Sequence, residues 1–318
     1  MPTSRPPAPP KEPAWKDRRL KIRGESVGWH LFERTAGLHV LLDELDCPPH
    51  LRSRVPRFVS IALTNTCDLD CPYCYAPKFR ARLTQDEVVG WCRELDRAGS
   101  LGVGFGGGEP TLWPGLVSLC REVTETTALA VSLTTHGHRL TPDLAEQLRG
   151  ALHFVRVSVD GIDERYERLR GRSFEQLRER LAHAATIAPL GINTVVNADT
   201  IEDLDQIRAL AIEVGAQELA LLPERAVGGA PGASPGVIRR LQRWLRGALA
   251  EENRLRLSVA EGFPTAGLPA FELTDGLDYA HIDASGHLKP TSFEPGGVDL
   301  RGTNIMEALE QLCERKAA

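Results

Sequence analysis

The stretch Arg57-Phe58-Val59-Ser60-Ile61-Ala62-Leu63-Thr64-Asn65-Thr66-Cys67-Asp68-Leu69-Asp70-Cys71-Pro72-Tyr73-Cys74 decides the reading of this chain. Arg57 to Thr64 has the apolar density of a buried strand. The loop that follows puts Cys67, Cys71 and Cys74 within eight residues. Three thiolates at x3 and x2 spacing can fold around one cubane 4Fe-4S cluster and ligate three of its irons. The loop supplies no fourth ligand, and the next cysteine, Cys92, falls inside a predicted helix. An iron without a protein ligand is an open site where a small molecule can chelate, much as a catalytic zinc keeps one position open. A zinc knuckle or three unrelated thiols is the alternative reading. Zinc usually takes two paired ligand sets, and no second C-x2-C or H-x3-H exists here.

Outward from this loop, strands and helices alternate. Helices are expected at Thr84 to Ala98 with Thr84 as N-cap, Pro114 to Thr126, from Thr141-Pro142, at Ser173 to Ala188 and at Ile201 to Val214. Strands are expected at Leu101 to Phe105, Leu129 to Thr134, Phe154 to Val159, Ile192 to Asn197 and Glu218 to Leu222. Six such strands imply an α/β fold, a parallel sheet covered by helices, with ligands at the C-terminal strand ends. Upstream, residues 1–14 hold six of the 22 prolines and read as a disordered tail. Residues 15–55 read as an N-terminal β-hairpin element with a break near Gly24 and a turn at Thr35-Ala36-Gly37. Residues 56–228 form the barrel. Residues 229–318 form an appendage with a helix from Gly236 to Glu252, strands near Leu255 to Val259, Tyr279 to Ile282 and His287 to Lys289, and a last helix from Asn304.

Composition narrows the function classes. The chain has 318 residues, 42% of them hydrophobic and 25% charged, which excludes a fibre or a wholly disordered chain. A net charge of -5 gives no global basic field for nucleic acid or anionic lipid. The apolar runs fall far short of the roughly 20 residues that a membrane span needs. The prolines near the N-terminus leave no apolar signal core, so a cytoplasmic chain is expected. Seven cysteines fit poorly with a fully paired secreted framework.

The cysteine loop resembles that of the radical S-adenosylmethionine superfamily, whose signature is C-x3-C-x2-C after the first strand of a partial (βα)6 barrel. The resemblance covers roughly Arg57 to Leu222. It implies one 4Fe-4S cluster on Cys67, Cys71 and Cys74, S-adenosylmethionine on the open iron, and Tyr73 against the adenine. Phe105-Gly106-Gly107-Gly108-Glu109-Pro110 matches the family's G-G-E-P motif, so Gly107, Gly108 and Glu109 are expected to bind the cofactor's amino group. Thr134-Thr135-His136-Gly137 stands where relatives carry Thr-Asn-Gly. His136 and His138 are candidate acid/base groups there. Val157-Ser158-Val159-Asp160-Gly161 resembles the S-x-D-G motif of the SPASM/twitch branch, which implies that Ser158 contacts the methionine or ribose end. Tyr166 to Gly171 resembles that branch's H-D-x-x-R-G stretch, and Arg170 is the expected carboxylate clamp. Asn197, facing the same side as Asn193, is a candidate for the ribose, and Leu222 for the adenine.

Tyr279 to Ser292 resembles a SPASM/twitch hairpin, but Thr291 and Ser292 stand where an auxiliary-cluster cysteine would be, so no second cluster is expected. The resemblance implies reductive cleavage of S-adenosylmethionine to a 5′-deoxyadenosyl radical, hydrogen abstraction from a substrate, and an external one-electron reductant of flavodoxin or ferredoxin type. A peptide or protein side chain, as for a maturase of ribosomal peptides, is the preferred substrate. A small-molecule or cofactor biosynthetic enzyme is the alternative, and a non-catalytic iron–sulfur or electron-transfer module the reading from another class.

Overall fold

The computed structural model describes residues 20–251, 255–260 and 278–317, so the expected tail over 1–14 lies outside the described residues. Three antiparallel strands come first, β1 (Leu20–Glu25), β2 (Gly28–Glu33) and β3 (Leu38–Leu42), side by side in that order. This corrects the expected hairpin to a three-stranded sheet. Gly24 lies inside β1, where a Cβ would come within 2.5 Å of both Cys47 Sγ and the Leu51 carbonyl oxygen. The glycine serves a close approach and not a break in the strand.

The barrel then runs β4 (Phe58–Thr64), α1 (Gln85–Ala98), β5 (Gly102–Gly107), α2 (Leu116–Thr126), β6 (Ala130–Thr135), α3 (Pro142–Leu148) and β7 (Phe154–Ser158). It continues with α4 (Asp163–Arg170), α5 (Phe174–Ile187), β8 (Leu190–Val196), α6 (Leu204–Glu213) and β9 (Glu218–Pro223). The helix starts follow their caps: Thr84 and Glu87 form a capping box on α1, and Thr141 accepts from the Leu144 amide ahead of Pro142. Helix α4 is an element that the periodicity did not assign; Gly171, at φ 65°, ends it.

The described residues beyond 228 join the main sheet and its helices, where an appendage was expected. Helix α7 (Pro235–Leu249) leads to β10 (Arg256–Val259), which pairs in parallel with β9. Strand β11 (Tyr279–Ile282) pairs in parallel with β4 on the opposite edge. Strands β12 (His287–Lys289) and β13 (Val298–Asp299) then extend the sheet antiparallel. The order is β10-β9-β8-β7-β6-β5-β4-β11-β12-β13, so the expected six strands are flanked by two more parallel ones. Without them β4 and β9 would be open edges with unpaired backbone groups. Helix α8 (Ile305–Ala317) closes over α1, with the Ile305 amide donating to Glu94 Oε2 at 2.8 Å and Arg301 Nε to Glu87 Oε1 at 2.7 Å.

Alternation along the strands separates two environments. Ile61, Leu63, Phe105, Leu133, Val157 and Leu219 point outward beneath the helices and are 1% exposed or less. Burying each such side chain contributes about 1.5–3 kcal/mol. The inward positions of the middle layers are small or polar: Ser60, Gly104, Gly106, Ser132, Ser158 and Asn193. Residues of this size cannot fill the lumen, and a cavity of about 700 Å³ runs through it.

The lower end of the lumen, where the strands begin, is closed by the sheet β1–β3. Arg23 donates to the Val55 carbonyl at 2.6 Å and the Gly99 carbonyl at 3.2 Å, just ahead of β4 and β5. Arg34 does the same for β6, reaching the Thr127 and Leu129 carbonyls at 2.9 and 3.1 Å. Glu25 ties the joint, accepting from Arg23 and Arg57 at 2.8 Å each. Burial raises its carboxyl, but the adjacent His30 ring and the two guanidiniums outweigh this and hold it at about 2. Phe32 packs edge-on against Phe58 at 6.0 Å to form the floor.

Candidate active site

The cysteine loop hangs from the end of β4, and the end of β5 is stitched to its stem. The Gly108 amide donates to the Thr64 carbonyl at 2.6 Å, and the Glu109 amide to the Thr66 carbonyl at 2.8 Å. Such contact needs backbone without side chains. A Cβ on Gly107, at φ +120°, or on Gly108 would come within 2.3 Å of the Thr64 or the Thr66 carbonyl oxygen. At Gly106 nothing lies nearer than 4.0 Å, so the motif also leaves the lumen open.

Cys67, Cys71, Cys74, Tyr73, Gly107, Gly108, Ser158, Arg170 and Leu222 all line this cavity. Glu109 and Asn197 do not. Glu109 is fully buried; it accepts from the Thr111 amide and hydroxyl at 3.0 and 2.6 Å, the Thr135 hydroxyl at 2.7 Å and the His136 amide at 2.9 Å. Its carboxylate joins β6 to the glycine turn, and of the expected amino-group set Gly107 and Gly108 are the residues that line the cavity. Asn197 Oδ1 accepts from the Asp199 and Thr200 amides at 3.0 Å each, and its Nδ2 donates to Glu224 at 2.7 Å. It caps the turn after β8. The asparagine that lines the cavity is Asn193, whose Oδ1 is buried with no partner.

The residue missing from the sequence reading is Asp160. It is fully buried and organises the wall opposite the glycine turn. Its Oδ1 accepts from the Val195 amide at 2.6 Å, and its Oδ2 accepts from the Tyr73 hydroxyl at 2.8 Å and from Arg170 Nη2. Arg170 Nη1 lies 3.6 Å from Cys71 Sγ, and its Nε is buried without a partner. A buried carboxylate so close keeps Arg170 charged, its burial notwithstanding. Burial and the Asp160 charge push the Tyr73 hydroxyl far up, so it remains a donor. The signal for Asp160 was present in Ser158-Val159-Asp160-Gly161, an acid at a strand end beside a glycine.

The two histidines part company. His138 does not line the cavity; it bonds the buried Tyr166 hydroxyl at 2.8 Å. Burial, with the neighbouring His136 ring and the Arg172 guanidinium, lowers it to about 4. His136 does line the cavity. Its Nδ1 accepts from the His138 amide at 3.1 Å, which leaves Nε2–H to donate to Asp68 Oδ1 at 2.9 Å.

The donor chemistry fits an iron–sulfur cluster. Three soft thiols from one loop face one space. Among the described residues, Cys92 and Cys120 are fully buried elsewhere, Cys47 lies beneath the N-terminal sheet and Cys313 is exposed on α8. Burial raises the Cys67 and Cys71 thiols, and Arg170 offsets this at Cys71 only in part. Thiols raised in this way need a metal beside them to become thiolates. Ligand atoms of Cys67, Asp68 and His136 also lie within 4.8 Å of one another, but Asp68 and His136 are already bonded to each other. The buried, unpartnered Arg170 Nε and Asn193 Oδ1 are free for a polar organic ligand.

Residues 61–211 match the radical SAM superfamily. S-adenosylmethionine and an iron–sulfur cluster are its cofactors. The chain is similar to the PqqA peptide cyclase of Ruegeria pomeroyi, 30% identical over 227 residues that cover 64% of this chain and 60% of that protein. It is also similar to the AdoMet-dependent heme synthase of Methanosarcina barkeri, 29% identical over 222 residues, 65% of this chain and 62% of that one. The chain thus spans about 60% of the length of the curated relatives it matches. The fold is shared with Streptococcus suis SuiB bound to the precursor peptide SuiA. There the TM-score is 0.72 at 14% identity, covering 92% of this chain and 87% of that one. Among the described residues no helix is long and apolar enough to cross a membrane.

Proposed function

We propose that this chain is a radical SAM maturase that abstracts hydrogen from a peptide or protein side chain. The observation that carries this reading is the lumen of about 700 Å³, continuous from the three thiols down to the barrel floor. A side chain of a larger substrate has room to descend into it while the main chain stays at the rim. The names of two relatives support it: one is a cyclase of the PqqA peptide, and SuiB was crystallised with its precursor peptide.

When bound, the cluster and S-adenosylmethionine together supply one-electron cleavage and a hydrogen-abstracting radical. The chain's own residues hold and shelter this chemistry. Cys67, Cys71 and Cys74 are the iron ligands. The Gly107 and Gly108 backbone takes the polar end of the cofactor, Tyr73 and Leu222 its adenine, Ser158 its ribose or methionine end, and Arg170, anchored on Asp160, its carboxylate. The outward apolar layer and the sheet β1–β3 keep bulk water from the lower lumen, as a reactive intermediate requires. A reduced cytoplasmic setting and an external flavodoxin- or ferredoxin-like donor suit three free thiols and a single cluster.

The test is 5′-deoxyadenosine release by the anaerobically reconstituted chain, with dithionite, S-adenosylmethionine and peptides encoded beside its gene. Release that one such peptide stimulates, with deuterium passing from a labelled side chain into 5′-deoxyadenosine, is the expected result. An intact cluster that binds S-adenosylmethionine yet responds to small molecules and to no peptide would overturn the peptide reading.

A further inference from the structure

The lower lumen has a charge that the cofactor chemistry above does not use. Four arginines and four histidines line the cavity, and among the described residues no aspartate or glutamate does. Of the arginines, Arg170 is held by Asp160 near the thiols, and Arg34 is held by backbone carbonyls at the floor. Arg156 and Arg256 share a single carboxylate, Glu218, which stands in the same row between them. Arg156 Nη2 is 2.8 Å from Glu218 Oε2, and Arg256 Nε is 3.5 Å from Glu218 Oε1. Among the described residues, two guanidiniums on one carboxylate leave one positive charge facing the lumen.

Arg156 is built into place. It stands one inward position below Ser158 on β7, with its guanidinium 4.5 Å from the Phe154 ring centre. The neighbouring strand carries Gly191 opposite it, and a Cβ there would come within 2.7 Å of the Phe154 ring and 3.4 Å of Arg156 Cγ. Ser258 Oγ donates to Glu218 at 3.0 Å, which fixes the anchoring acid. Burial raises the Glu218 carboxyl, but both arginines and Ser258 bring it below its ordinary value, so it stays ionised and holds them. One inward position above Gly191 on β8 lies Asn193, whose unpartnered Oδ1 asks for a donor.

We propose that Arg156 and Arg256 form a carboxylate-binding subsite that receives an acidic side chain of the substrate peptide, with Asn193 accepting from an N–H of the same residue. This rests on the peptide reading above and specifies its substrate. The excess of one positive charge matches a single carboxylate, and a guanidinium fork fixes its orientation. The subsite lies below the cofactor residues, so an acidic side chain held there presents its carbons upward toward the reacting centre.

The test uses the full chain, anaerobically reconstituted, and equilibrium calorimetry with named probes. These are glutarate, its neutral analogue glutaramide, and two synthetic peptides alike except for glutamate or glutamine at the central position. Glutarate is expected to bind and glutaramide not, and the glutamate peptide to bind about tenfold or more tighter than the glutamine one. Arg156→Gln should weaken glutarate by about tenfold and Arg256→Gln by less, since that side chain is more exposed, with S-adenosylmethionine affinity kept in both. Should Arg156→Gln fail to fold, Arg256→Gln and the peptide pair carry the test. Equal binding of glutarate and glutaramide, or of the two peptides, would overturn the subsite and leave the peptide reading standing. Arginine-dependent glutarate binding with neither peptide bound would support the subsite and overturn the peptide reading.

Discussion

At the upper end of the lumen, three thiols, a glycine turn and an Asp–Arg pair come from short motifs in the loops that follow β4, β5 and β7. At the lower end, Arg156, Glu218, Arg256, Ser60 and His281 come from five strands, one residue from each. His281 and Ser60 lie 2.6 Å apart across the β4–β11 pair, and Tyr279 adds its hydroxyl to the same Ser60 oxygen. The upper site is local in sequence because a cluster and a sulfonium cofactor need many backbone groups at close range. The lower site is scattered because it lies inside the barrel, where each strand offers one inward residue every second position. The first region is expected to fail by loss of a ligand or a cofactor, the second by loss of packing and charge balance.

The largest effect should come from Cys71→Ala. It should abolish the visible absorbance of the reconstituted cluster and all 5′-deoxyadenosine formation, while thermal unfolding of the iron-free chain stays close to the parent's. Preserved absorbance would break the assignment of the upper region. Asp160→Asn probes the wall that joins the two regions. It leaves Arg170 and the Tyr73 hydroxyl without their buried charge, so we expect about 3–5 kcal/mol of lost stability in urea unfolding. S-adenosylmethionine affinity should fall with it; a loss of stability alone would assign Asp160 to packing only.

His281 sharpens the comparison through pH. Burial, with the Lys289 charge, lowers it from 6.5 to about 4, against the opposing pull of Asp283. The unfolded chain therefore takes up a proton between these values that the folded chain refuses. Stability present above about pH 6.5 is lost as the pH falls toward 4, by about 3 kcal/mol for this one group. His281→Gln should lack that share of the acid loss when unfolding curves are compared at both ends of the window. The smallest effect is expected for Asn197→Ala, about 1 kcal/mol for a lost cap, with S-adenosylmethionine affinity unchanged. A clear drop in that affinity would return Asn197 to the cofactor site.

Much of the upper region was legible before the fold was known. The thiol spacing, Gly106-Gly107-Gly108 and Arg170 depend on neighbours a few residues away, so their order along the chain nearly dictates their geometry. Glu109 shows where such reading stops. Its place in the motif was right, but its carboxylate is buried under β6, and only the chain fold shows that Thr111, Thr135 and His136 consume its lone pairs. Asn193 and Asn197 share a face of β8, yet Asn197 turns into the cap while Asn193 stays in the lumen.

Local order therefore established the alternating α/β class, the three-thiol loop and the glycine turn, because strand period, helix caps and short-loop geometry are all set within a few residues. The additional parallel strands β10 and β11, the closing sheet β1–β3 and the arginine pair on Glu218 emerged only in three dimensions. Strand pairing and lumen charge join residues up to about 220 apart, as Tyr279 and Phe58 are, and such contacts leave no mark in a local window.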